Sequence, residues 1–225
     1  MSTVPTNLPS ASADFTVTYP TSDGRPMGET DLHREIMFEL IETLKEFYRG
    51  RQVYVSGKIL LYYEEGNKRR HVSPDVLITK GLEMRLREYY LLWVEGLPPS
   101  MVIEVTSAST RKEDLRDKMN LYRDVIKVNE YFLFDPRSEY LKPPLQGYRL
   151  VQGEYVPIEP VDGRLPSQEM GLHLEWAGQH LRLYNPATRR WIPTFAEMRQ
   201  EIEAEVARLR AELAEKERDK PGGTA

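Results

Sequence analysis

A chain of 225 residues, 40% hydrophobic and 29% charged, has room for one domain with a substantial core and an appendage. It contains no cysteine, which excludes disulfide scaffolds, thiolate zinc sites and cysteine nucleophiles. A formal net charge of -4 gives no overall basic field, so any nucleic-acid contact must come from a local patch, and no apolar run approaches the length of a membrane span.

Residues 1–20 are rich in Ser, Thr and Pro and lack the basic start and apolar core of a signal peptide. They read as a loose tail, and a cytoplasmic location follows by default. Thr21 to Pro26 carries turn chemistry. A helix then starts with Thr30 or Asp31 as N-cap, its stripe running through Leu32, Ile36, Leu40, Leu44 and Phe47 and widened by Met37 and Ile41. Gly50 suits its C-terminal stop. Val53–Tyr63 reads as a strand, Glu64–Asn67 as a hairpin turn, and His71–Thr79 as a second strand with Pro74 near its start. Residues 82–95 show no decisive pattern.

Met101–Ser107 is apolar on both pleat faces except for Glu104, as expected of a strand buried on two sides. An unpaired buried carboxylate costs several kcal/mol or is forced to protonate, so Glu104 requires a partner or a metal. Glu104 and Thr106 share one face of that strand, and something polar must lie against it. Thr110–Glu113 has the form of a capping box, opening a helix that runs to about Arg123 with Asp114, Lys118 and Tyr122 on one stripe. Glu130–Pro136 is another buried strand. Gly147–Ile158 and Leu172–Tyr184 read as hairpins turning at Gln152-Gly153 and at Ala177-Gly178-Gln179. From Thr194 onward Phe195, Met198, Ile202, Val206, Leu209 and Leu213 step by threes and fours, giving one long amphipathic helix that either packs on its own domain or pairs with a second copy. The resulting division is a tail over 1–20, a main domain over 21–192, an amphipathic helix over 193–220 and a short tail over 221–225.

Asp75 and Glu104 converge if their strands are neighbours in one sheet. Paired carboxylates with little histidine suit a hard cation such as Mg²⁺ or Mn²⁺. Such an ion activates water and neutralises charge that builds on a phosphate. Lys118 is the candidate cation beside it: Glu104 to Ser107 climbs about 10 Å at strand rise, and Thr110 to Lys118 returns about 12 Å at helix rise. None of the four histidines has metal-binding spacing, and Ser107 lacks a nucleophile elbow. Lys68, Arg69 and Arg70 form either a plain hairpin end or a phosphate contact before Asp75, and Arg111 and Lys112 are placed to act likewise.

The segments Asp23–His33, Ser73-Pro74-Asp75-Val76, Val102–Ser107, Asp114…Lys118…Tyr122 and Glu130–Pro136, in this order, resemble the Uma2 family of the PD-(D/E)xK nuclease superfamily. The resemblance covers roughly residues 20–192 and implies a restriction-endonuclease-like α/β fold: a mixed sheet flanked by helices, here with added β-hairpins and a long C-terminal helix. It implies metal at Asp75 and Glu104. The superfamily lysine two residues after the second acid is replaced by Thr106, and the family's lysine on the following helix matches Lys118. It also implies a glutamate from the first helix, for which Glu35 is chosen over Glu29 and Glu39. The expected function is Mg²⁺-dependent cleavage of DNA by a homodimer paired through the C-terminal helix. The alternative is an inactive nuclease-fold module that binds nucleic acid or a protein. A glycoside hydrolase using Asp75 and Glu104 is weaker, because Lys118 would have no role in it.

Overall fold

The structure is a computed structural model that describes residues 19–22 and 30–218. Thr30 caps the first helix, α1 (Asp31–Phe47), its hydroxyl accepting from the His33 N–H at 3.3 Å. The stripe expected from the sequence is buried at Ile36, Met37, Leu40, Ile41 and Leu44, and Gly50 follows in the left-handed region. The turn read over Thr21–Pro26 and the rival Glu29 fall largely outside the described residues. Of the expected tail, Tyr19 and Pro20 are described and are bound to the domain. The Tyr19 hydroxyl accepts from the Gly66 N–H at 2.9 Å, and the Tyr62 hydroxyl donates to the Pro20 carbonyl at 2.8 Å.

The long strand expected over Val53–Tyr63 is two short ones, β1 (Val53–Ser56) and β2 (Leu61–Tyr62), and its partner is likewise divided into β3 (His71–Val72) and β4 (Val76–Lys80). The break has a local cause. A Cβ at Gly57 would lie 2.0 Å from the Asp75 carbonyl oxygen, so the backbones meet where only glycine fits. The undecided stretch resolves into β5 (Tyr90–Leu91) and the single turn α2 (Leu92–Glu95). Next come β6 (Met101–Val105) and a helical stretch over residues 111–126 dominated by two π-helical segments, Glu113–Lys118 and Leu121–Ile126, here called the wide helix. The capping box at its start does not close. The Thr110 hydroxyl turns back to accept from the Ser107 N–H at 3.0 Å.

The wide helix carries the chain to β7 (Glu130–Phe134), parallel to β6. The hairpin β8 (Leu145–Val151) and β9 (Glu154–Pro157) completes a mixed six-stranded sheet of order β1-β4-β6-β7-β8-β9. The strands β10 (Leu165–Pro166), β11 (His173–Ala177), β12 (His180–Asn185) and β13 (Arg190–Trp191) form a second, antiparallel sheet, and β3-β2-β5 a third. Alternation along the central strands splits the core in two. Val76, Ile78, Met101, Ile103, Phe132 and Phe134 pack with α1 and the second sheet. Leu77, Val102, Tyr131 and Leu133 pack with Tyr122 and Ile126 of the wide helix. Glu104, in phase with Val102, therefore faces the wide helix.

The C-terminal helix, α3 (Phe195–Arg218), begins in a closed capping box: Thr194 Oγ1 accepts from the Glu197 N–H at 3.1 Å and Glu197 Oε2 from the Thr194 N–H at 2.8 Å. Arg182 and the Thr43 hydroxyl tie its first turn to the domain. Farther along, Ile202, Leu209 and Leu213 remain more than half exposed.

Candidate active site

Strands β4 and β6 pair antiparallel with Val76 opposite Ile103 and Leu77 opposite Val102. One step further along this register sets Asp75 across from Glu104. The two are joined reciprocally through the main chain. The Val105 N–H donates to Asp75 Oδ2 at 2.8 Å, and the Asp75 N–H donates to Glu104 Oε2 at 3.3 Å. Both side chains are buried, Glu104 completely.

The polar surface that Glu104 and Thr106 require is the every-fourth-residue stripe of the wide helix. Lys118 Nζ donates to Glu104 Oε2 at 2.9 Å, the Tyr122 hydroxyl donates to Glu104 Oε1 at 2.8 Å, and the Thr106 hydroxyl donates to Asp114 Oδ2 at 2.7 Å. Lys118 Nζ also lies 3.0 Å from Asp114 Oδ1, an oxygen with no aligned hydrogen bond of its own. The Tyr140 hydroxyl makes a short contact with Thr106 Oγ1. π-turns of this kind are rare in helices and concentrate at functional sites.

Asp75 has two further neighbours. Lys58 Nζ lies 2.6 Å from Oδ1, and His33 Nε2 lies 3.1 Å from Oδ2 without hydrogen-bond alignment. Burial acts to raise the Asp75 carboxyl, but His33, Lys58 and Lys118 outweigh it and hold the group well below the usual carboxylate range. Burial pushes the Glu104 carboxyl up to about 8; Lys118 works against the rise, while Asp75 and Asp114 add to it. Burial also works to lower Lys118, yet the three carboxylates carry it above an ordinary lysine. Lys118 thus keeps its charge, and of the facing pair Glu104 takes up a proton before Asp75.

A cavity of about 350 Å³ opens on this cluster, lined by His33, Lys58, Asp75, Thr106, Asp114 and Lys118, with Asp135 and Arg137 at its border. Asp135 is satisfied by the backbone N–H groups of Arg137, Tyr140 and Leu141 and so shapes a turn. Among the described residues no group of three or more His, Asp or Glu is placed to hold a metal ion. Mg²⁺ does not ask for one, since it is held by one or two carboxylates with waters and substrate phosphate. The donor chemistry of Asp75 and Glu104 beside an open cavity fits such an ion and does not fit a structural zinc.

Asp75, Glu104 and Lys118 are thus brought together. Glu35 is not: it is exposed and lines a separate groove with Phe38, Phe195 and Arg199. Glu39 lies in that same groove, 3.7 Å from His180. Helical phase explains this, because residues 33 and 35 are about 200° apart around a helix, and it is His33 that turns toward the acids. Lys68, Arg69 and Arg70 are exposed at the hairpin end, outside the cavity, with Arg70 3.4 Å from Glu64. Lys112 lines a neighbouring hollow with Ser109, Arg111 and Arg116. Sequence reasoning missed Lys58 and His33 as neighbours of Asp75. The available signal was Gly57-Lys58 inside a strand pattern, where an isolated glycine marks a bulge or a close backbone approach.

The sequence model of Uma2, described as "Putative restriction endonuclease", matches residues 10–183. The chain belongs to the Uma2 family. No curated protein matches it. Among solved structures it is similar to "a putative nuclease belonging to DUF820" from Anabaena variabilis ATCC 29413, with 17% identity and a TM-score of 0.49 over 68% of this chain and 82% of that one. The fold of this Uma2 protein is α/β, a mixed sheet flanked by helices and extended by hairpins and a long C-terminal helix.

Proposed function

We propose that this Uma2 protein is a divalent-metal-dependent endonuclease that hydrolyses DNA phosphodiester bonds. The observation that carries the reading is the meeting of Asp75 and Glu104 across β4 and β6, with Lys118 2.9 Å from Glu104, in a chain whose family is described as "Putative restriction endonuclease". Asp75 and Glu104 would hold Mg²⁺ or Mn²⁺. When bound, the ion supplies a more acidic water and a counter-charge for the phosphate.

The chain's own residues prepare the site. The Val105 N–H fixes Asp75, and the Tyr122 hydroxyl fixes Glu104. Lys118 balances Glu104 and Asp114 and, in this reading, orients the attacking water. Thr106, standing where the superfamily pattern has lysine, holds Asp114 and thereby the Asp114–Lys118 pair. Arg111 and Lys112 at the start of the wide helix, and Lys68, Arg69 and Arg70 at the hairpin, would meet flanking phosphates. The exposed stripe Ile202, Val206, Leu209 and Leu213 supports a homodimer paired through α3, which places two sites on one duplex.

The test is plasmid nicking by the full chain with Mg²⁺ or Mn²⁺, beside calorimetric titration of each ion. Metal-dependent nicking that Asp75→Asn and Glu104→Gln both lose supports the hydrolase. Folded wild type that binds neither ion overturns it. One observation favours the second reading, a non-catalytic binding module: both Glu104 oxygens already have partners, and Glu104 does not itself line the cavity. A protein that shifts DNA in a gel without cutting it, at any metal concentration, would be that module.

A further inference from the structure

Two lysines approach the acid cluster, and their surroundings differ. Lys118 is locked between two carboxylates, Glu104 at 2.9 Å and Asp114 at 3.0 Å. Lys58 lines the same cavity with twice the side-chain exposure of Lys118, 27% against 13%, and its ammonium is 2.6 Å from Asp75 Oδ1. The chain accepts an unfavourable backbone to put it there. Lys58 has φ of 53°, in the left-handed region that residues other than glycine seldom adopt. Its N–H is pinned to the Pro74 carbonyl at 2.8 Å, and Gly57 before it leaves no space for a Cβ against Asp75. The kink between β1 and β2 is thus tied at two points to the segment that carries Asp75.

The two oxygens of Asp75 are divided. Oδ2 accepts from the Val105 N–H and has the His33 ring 3.1 Å away. Oδ1 takes Lys58, which with Asp75 lines the cavity. A hard dication seeking an oxygen of Asp75 would find its repulsive neighbour, an ammonium, already on Oδ1.

We propose that Lys58 and a divalent cation compete for Asp75 Oδ1, so that binding of the ion displaces the Lys58 ammonium from Asp75 toward a phosphate oxygen of the substrate. The inference rests on the metal-dependent reading of the site. It assigns Lys58 the substrate phosphate and leaves Lys118 with Glu104.

The experiment is calorimetric titration of Mn²⁺ alone into the full-length wild type and the Lys58→Met, Lys58→Arg and Arg137→Met variants. Arg137 borders the same cavity without touching Asp75, so it controls for loss of a nearby charge. Competition requires Lys58→Met to bind Mn²⁺ at least fivefold more tightly than wild type, with Lys58→Arg near wild type and Arg137→Met changed less than twofold. A second measurement needs no variant. Acetylation of wild-type lysines, read by mass spectrometry, should rise at least threefold at Lys58 on saturation with Mn²⁺, relative to Lys80 on the far side of β4. Unchanged affinity in Lys58→Met, or unchanged Lys58 labelling, overturns the proposal even if the wild type cuts DNA. Tighter binding and increased labelling without DNA cleavage by any variant uphold the competition and overturn the nuclease reading. A wild type that binds no Mn²⁺ overturns both.

Discussion

Two glutamates are sealed in neighbouring parallel strands, Glu104 in β6 and Glu130 in β7, and they differ in everything except burial. Glu130 opens its strand and is satisfied on both oxygens. Arg149 Nε and the Gln168 N–H donate to Oε1 at 2.9 Å each, and the Ser167 hydroxyl and the Glu169 N–H donate to Oε2. One guanidinium balances one carboxylate, and the group pins the loop between β10 and β11 of the second sheet onto the first. Glu104 lies near the other end of the parallel pair, where strands of α/β sheets finish and ligands gather. It shares one ammonium with Asp114 and faces Asp75, beside a cavity. A buried acid alone is therefore a structural feature. Several acids crowded around shared cations at a cavity, with ionisation driven apart in opposite directions, make a candidate site.

The comparison breaks most sharply under substitution. Asp75→Asn should lower DNA cleavage by at least ~1000-fold, or ~4 kcal/mol of barrier, while the protein still melts cooperatively; a variant that cuts at near wild-type rate would reduce Asp75 to a turn residue. Glu130→Ala should do the reverse. It strips Arg149 and three other donors of their acceptor, at a cost of ~3 kcal/mol of stability, with cleavage per folded molecule unchanged. Chemical denaturation and single-turnover assays on both variants read the contrast directly.

The two shifted acids also give stability a pH dependence of known sign. An unfolded glutamate titrates at roughly 4.3, whereas Glu104 in the fold is raised to about 8. Between those values the folded protein holds a proton that the unfolded chain has released, so stability falls as pH rises through the window. Asp75 acts in the opposite sense: its depressed carboxyl adds stability above roughly pH 4, lost as the solution is acidified below that. Melting temperature should therefore decline from about pH 5 to about pH 8 in the wild type and decline less in Glu104→Gln. Equal slopes in the two proteins would show that Glu104 is ionised throughout.

Much of this arrangement was legible in the chain. A carboxylate in an otherwise apolar strand called for polar partners, and counting strand and helix rise returned Lys118 to the level of Glu104. Asp114, Lys118 and Tyr122 were readable as one stripe, and all three meet the Glu104–Thr106 face. The partners that come from farther away were not legible. Lys58 reaches Asp75 through a kink set by backbone crowding at Gly57, which period-two patterning does not encode. His33, and not Glu35, turns inward because helix phase is fixed by packing of the whole stripe against the sheet. Of the second sheet the β11–β12 hairpin was legible, but its short flanking strands β10 and β13 and the Glu130–Arg149 pair were not, because short strands carry little periodicity and the pair joins residues distant in sequence.

The smallest expected effects come from removing one hydroxyl beside each buried acid group. Ser167→Ala deletes a donor to Glu130, but Arg149 and two backbone N–H groups remain, so the loss should be ~1 kcal/mol of stability and nothing in cleavage. Thr106→Val keeps the volume and deletes the donor to Asp114 Oδ2, leaving Lys118 to hold that carboxylate from one side. Its stability cost should also be ~1 kcal/mol, yet here it should be accompanied by a fall in cleavage, of less than about tenfold, because a loosened Asp114 draws Lys118 away from Glu104. Equal stability loss with unequal loss of cleavage would place the chemistry at the Glu104 end of the sheet. A Thr106→Val protein as active as wild type would show that Thr106 serves packing alone.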